Sequence, residues 1–112
     1  MSTLSTHVLD TTRGRPAAGI DVALHVCAGA AWTRLTSGTT DEDGRISDLL
    51  TPISLEPGHY RLTFNTGAYY QQHGQAGFYP TVEIQFTIGE ATEHYHVPLL
   101  LSPFGYSTYR GS

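Results

Sequence analysis

Residues 81–88 read TVEIQFTI, in which Val82, Ile84, Phe86 and Ile88 alternate with Thr81, Glu83, Gln85 and Thr87. Successive side chains of a β-strand point to opposite faces, so this run predicts a strand with one packed face and one polar face. The same alternation recurs in DVALHVC, where Val22, Leu24 and Val26 oppose Asp21, Ala23, His25 and Cys27. It recurs again in GHYRLTFN, where Tyr60, Leu62 and Phe64 oppose His59, Arg61 and Thr63. Between these runs lie GRPAAG, SGTTDEDGR, LEPGH and TIGE, rich in residues that supply turn dihedrals or side-chain caps. Seven or eight short strands joined in this way predict an all-β antiparallel sandwich. One stretch breaks the pattern: Ala68 to His73 lacks alternation and ends at Gly74, which predicts a single short helix.

The chain has 112 residues, the size of one domain, with 39% hydrophobic and 14% charged residues. That balance is too apolar for a disordered chain and predicts one core spanning residues 1–112, with no repeat or linker. The net charge is -4, and the six basic residues, Arg13, Arg15, Arg34, Arg45, Arg61 and Arg110, are scattered along the sequence. This argues against a nucleic-acid surface. The lone Cys27 cannot make an internal disulfide, which favours a reducing compartment. MSTLSTHVLD lacks the basic and apolar regions of a leader, and no window approaches the ~18 apolar residues of a membrane span. The expectation is a soluble, unprocessed, cytoplasmic protein.

Most catalytic motifs are absent, including G-x-S-x-G and any glycine-rich phosphate loop. Histidines remain. In EHYHVPLLL, His94 and His96 are two apart on a predicted strand and share a face, with Tyr95 and Val97 on the other. Such a pair is half of a metal site or simply two histidines on a β face. In STHVLD, His7 and Leu9 oppose Thr6 and Val8, while Arg45 follows the turn DEDG. Taken singly, Arg45 and Arg110 read as solvated charges at loop edges.

Three stretches together are more specific: LSTHVLDTTRGRPAAGIDVAL, TTDEDGRI and HYHVPLLLSPFGYSTYRGS. Over essentially the whole chain the sequence resembles the transthyretin-related family, in particular its 5-hydroxyisourate hydrolase branch. The terminal YRGS is the most specific feature, because the hormone-carrying transthyretins share the preceding SP-x-x-YST pattern but not this ending.

The resemblance implies a transthyretin-like (prealbumin-like) two-sheet sandwich of about eight strands and one short helix. It also implies a homotetramer, a dimer of dimers, with active sites at the dimer–dimer interface. The catalytic set falls on His7, Arg45, His96 and Ser112, and the substrate-binding set adds Tyr109, Arg110 and Gly111. The implied reaction opens the six-membered ring of 5-hydroxyisourate by water attack on a lactam carbonyl, on the route from urate to allantoin. Either His7 or His96 serves as base and the other as orienter or acid, Arg45 binds the developing anion, and Ser112 positions by hydrogen bonding. Ser112 as an acylated nucleophile and a zinc site completed by His7 are the competing chemistries. The resemblance implies direct water attack without metal or other cofactor. Two other readings compete: a non-catalytic small-ligand carrier, as transthyretin is, and a generic sandwich interaction module.

Overall fold

A computed structural model describes residues 2–46, 55–90 and 92–111. Nine strands and one helix follow one another: β1 Thr3–Asp10, β2 Arg15–Pro16, β3 Asp21–Ala28, β4 Ala31–Thr39, β5 Arg45–Ile46, β6 Gly58–Phe64, α1 Thr66–Gln72, β7 Val82–Ile88, β8 His94–Ser102 and β9 Gly105–Thr108. One sheet runs β2-β1-β8-β9, with β5 also pairing β1, and the other runs β4-β3-β6-β7. The two-sheet sandwich is therefore the expected one, with two-residue β2 and β5 as added edge pieces. Every junction is antiparallel except β1–β8, which is parallel and in register from Thr3↔His94 to Asp10↔Leu101.

Alternation decides what lies between the sheets. Leu4, Thr6 and Val8 from β1, Val22 and Leu24 from β3, Leu62 and Phe64 from β6, and Leu99 and Leu101 from β8 are all 2% exposed or less. Burying each such aliphatic or aromatic side chain contributes about 1.5–3 kcal/mol. The one ion pair among the described residues, Arg110 to Glu93 at 3.1 Å, is substantially exposed and contributes about 0–1 kcal/mol. The core, not surface charge, therefore holds the sandwich.

The helix begins two residues before the sequence pattern suggests. Asn65 is its N-cap, with its side-chain oxygen accepting from the Ala68 amide, a signal hidden among neighbouring turn residues. Tyr69 and Tyr70 are buried, and the Tyr69 hydroxyl donates to the buried Asp10 carboxylate at 2.7 Å. Asp10 also accepts from the Thr12 and Arg13 amides, so α1 is tied to the end of β1. No helix among the described residues is long and apolar enough to cross a membrane.

Candidate active site

The buried face of β1 carries Leu4, Thr6 and Val8, so Ser5 and His7 face outward and are half-buried. On β8, Tyr95 and Val97 point into the core, and His94 and His96 point out with them. The parallel register sets Ser5 opposite His96, and His7 opposite Pro98. His7 and His96 are thus diagonal neighbours on one face. On the other side of β1, the antiparallel β5 pairs Arg45 with His7. Three of the four catalytic candidates come together from three distant stretches.

Arg45 is presented by the turn DEDG. The Asp41 carboxylate accepts from the amides of Asp43 and Arg45, and the Gly44 carbonyl accepts from Val8 at 2.7 Å. Gly44 has φ +73°, and a Cβ there would lie 2.4 Å from the Val8 carbonyl oxygen. Only glycine satisfies both the dihedral and this close approach. Arg45 is exposed, and among the described residues neither its guanidinium nor the His7 imidazole has a hydrogen-bond partner. Both are free to engage a ligand.

His96 is held differently. Its Nδ1 is 2.8 Å from Ser5 Oγ, which in turn lies 2.9 Å from His94 Nε2, and His94 Nδ1 is 2.6 Å from Thr3 Oγ1. One consistent proton order runs His96 Nδ1–H to Ser5, Ser5 O–H to His94 Nε2, and His94 Nδ1–H to Thr3. That order leaves His96 Nε2 as a free acceptor on the face shared with His7. Burial pushes the His96 pKa below its ordinary value, and the nearby charges of His7, Arg45 and His94 push it further the same way. A neutral imidazole at neutral pH follows.

Both ring nitrogens of His94 are engaged by hydroxyls, and no group of three metal-ligating side chains is assembled among the described residues. The H-x-H pair is here an orienting device for His96. Ser5 and Thr3 are the supporting residues that sequence reading missed, and His94, read there as half of a metal site or as a plain β-face histidine, supports His96 with them. The alternation of β1 already turns Ser5 outward, but its position opposite His96 depends on the β1–β8 register.

The terminal segment returns along β8. The Gly111 amide donates to the His96 carbonyl at 2.7 Å, and a Cβ on Gly111 would meet His96 Cδ2 at 2.6 Å. Gly111 therefore packs its backbone against the imidazole. Ser112 lies outside the described residues. Arg110 stacks over Tyr95 at 4.5 Å and pairs with Glu93. With Tyr109 it lines a cavity of about 240 Å³ beside Phe86, Tyr95 and Val97. Tyr95 and Val97 are core-facing, so Tyr109 and Arg110 are placed away from His7 and His96 within one protomer.

Residues 4–111 match the model of the HIUase/Transthyretin family. The chain is 49% identical over 113 residues to a 5-hydroxyisourate hydrolase of Mus musculus, covering 99% of this chain and 96% of that protein. The solved 5-hydroxyisourate hydrolase of Klebsiella pneumoniae superposes with a TM-score of 0.87 at 40% identity, over 98% of this chain and 99% of that one. Sea bream transthyretin in complex with thyroxine superposes with a TM-score of 0.91 at 34% identity, over 96% of this chain and 93% of that one. With nearly its whole length matched by the family model and by close relatives, this chain belongs to the HIUase/transthyretin family.

Proposed function

We propose that the protein hydrolyses 5-hydroxyisourate to the ureido-imidazoline carboxylate in urate degradation, with His96 as the general base. The observation that carries this reading is the cluster of His96, His7 and Arg45 on one outward face. A neutral imidazole whose Nε2 is left open sits there beside a cation that has no partner among the described residues. Water gives a proton to His96 Nε2 as its oxygen attacks the lactam carbonyl. The carbonyl oxygen becomes an anion opposite Arg45, whose planar guanidinium offers two parallel N–H donors. The C–N bond then breaks, and the imidazolium returns the proton to the leaving nitrogen. His7 orients the purine-like ring. Ser112, which follows Gly111 in the chain, positions the substrate or the water. Tyr109 and Arg110 anchor the segment that brings Gly111 against His96, and any contact they make with substrate is made across a subunit interface.

The test generates 5-hydroxyisourate from urate in situ and follows its absorbance decay. Acceleration by the protein, unchanged by a chelator, is expected. The carrier reading, motivated by the likeness to transthyretin, requires no acceleration.

The pH profile checks the assignment of the base. Because the His96 pKa lies below the ordinary histidine value of ~6.5, the acid limb of kcat/KM is expected below that pH, with full activity above it. Arg45 depresses this pKa, so Arg45→Gln should raise the His96 midpoint in an NMR titration. A limb at or above ~6.5 that is insensitive to His96 replacement would assign the base elsewhere.

A homotetramer, a dimer of dimers, is part of the same proposal. β9 is the free edge of its sheet, and Phe104, Tyr106 and Tyr109 around it are 72%, 41% and 57% exposed. An aromatic edge strand left open is a template for pairing with a second copy. Light scattering at micromolar concentration should give four times the chain mass, and a monomer mass would refute this. The single cysteine supports the cytoplasm as the compartment.

A further inference from the structure

The outward face of the four-stranded sheet, on the opposite side of the sandwich from His96, carries a second concentration of recognition chemistry. The registers β3–β4, β3–β6 and β6–β7 align Arg34, His25, Arg61 and Gln85 in one row across all four strands. Arg34 reaches this face through a register shift between Leu24 and His25, which leaves Leu35 without a partner on β3. Without that bulge, Arg34 and Trp32 would point into the core; with it, both join His25 and Arg61 outside.

Among the described residues, neither arginine in the row is ion-paired. Among the described residues Arg34 has no hydrogen-bond partner, and the Arg61 guanidinium lies over the Trp32 ring at 4.5 Å, a contact that occupies its plane and leaves its N–H edges without a partner there. Of the carboxylates on this face, Asp21 is held by the Thr39 hydroxyl, and Glu83 lies opposite Thr63, one row away. Three buried polar atoms of the row and its neighbour have no partner: His25 Nδ1, Arg61 Nε and Thr63 Oγ1. Buried polar atoms are normally satisfied, so three adjacent orphans mark a place that lacks its ligand. An open groove of about 700 Å³, whose lining includes Asp21, Arg34, Ser37, Thr39, Thr63 and Thr81, begins beside the row.

We propose that this face is a second, non-catalytic site that binds a small oxygen-bearing dianion of phosphate or dicarboxylate size between Arg34 and Arg61. Guanidinium groups present parallel N–H donors that match paired anionic oxygens. Two of them set two strands apart bracket an anion over His25, and the hydroxyls of the groove accommodate whatever carries it.

Trp32 is the only tryptophan and lies against Arg61, so its emission reports on the site directly. Titrating the tetramer or whatever assembly the full chain forms with inorganic phosphate, and separately with succinate, should give a saturable emission change with at least one of them. Sodium chloride at matched ionic strength should not reproduce it. Arg34→Met, at an exposed residue away from the catalytic face, should weaken that binding at least tenfold while turnover of 5-hydroxyisourate stays unchanged. Calorimetry on the same pair of proteins gives a second, fluorescence-independent reading, and Arg34→Gln replaces the variant if its circular dichroism departs from the parent. Saturation by phosphate alone or by succinate alone assigns the ligand class within the proposal. A linear response matched by chloride, or an Arg34 variant that titrates like the parent, overturns it.

Discussion

Replacing His96 with alanine is expected to lower turnover of 5-hydroxyisourate by about 10²–10⁴-fold, the range for removing a positioned acid–base group. The imidazole is half-buried on the outward face of β8, so the core beneath it is untouched and the fold should survive. Its loss removes a histidine nitrogen left open by the Ser5–His94–Thr3 chain on a ring kept neutral by burial and by the neighbouring His7, Arg45 and His94. His7→Ala and Arg45→Ala should fall in the same range, through orientation and charge stabilisation. Because these groups act on one transition state, the His7/His96 double variant should be little worse than the poorer single one. Ser5→Ala separates positioning from proton transfer: it leaves His96 present but unoriented, and should reduce kcat less while shifting the acid limb. Steady-state hydrolysis beside thermal melts checks the set. Full activity in His96→Ala would remove this residue from the mechanism.

Deleting Gly111 and Ser112 should abolish most turnover, by about 10²-fold or more, while assembly and melting temperature barely change. The described part of this segment adds one backbone hydrogen bond, Gly111 to the His96 carbonyl, and no apolar side chain. One such bond is worth about 1 kcal/mol, or a few degrees in a domain of this size. Its position matters more than its energy, since it lies against the imidazole proposed as the general base. Gly111→Val makes the same point without truncation, because a Cβ there would lie 2.6 Å from His96 Cδ2 and displace the ring. Ser112→Ala should do less damage than the deletion. The checks are hydrolysis rates and size-exclusion chromatography on all three proteins. A truncated protein that remains assembled and fully active would show that the terminus has no part in the site.

Much of this was readable before any coordinates. A strand alternates its side chains whatever its neighbours are, so TVEIQFTI, DVALHVC and HYHVPLLL declare which residues are core and which face out. By that rule His7, His94 and His96 had to be outward once Thr6, Val8, Tyr95 and Val97 were inward, and they are. The glycine of DEDG likewise announces the turn that presents Arg45. Resemblance to the family then supplied the chemistry, which no spacing in one strand could.

Lateral pairing was not readable, because register is chosen by the burial of whole sheets and by the closure of long loops. The parallel β1–β8 junction, unlike every other in the sandwich, sets Ser5 beside His96 and so makes His94 an orienting residue. Pairing of β1 with β5 brings Arg45 to His7 from far along the chain. The same holds on the opposite face. Along the sequence the arginines are merely scattered, but the β3–β4 bulge and the β3–β6 register align Arg34 and Arg61 on either side of His25. The sequence by itself determined which residues share a side in the regularly alternating strands β1, β3, β6 and β7, since that is local backbone geometry. Only the tertiary structure decided which residues stand next to one another, since a single-residue shift in pairing exchanges a strand's faces and only the packed sandwich selects one register.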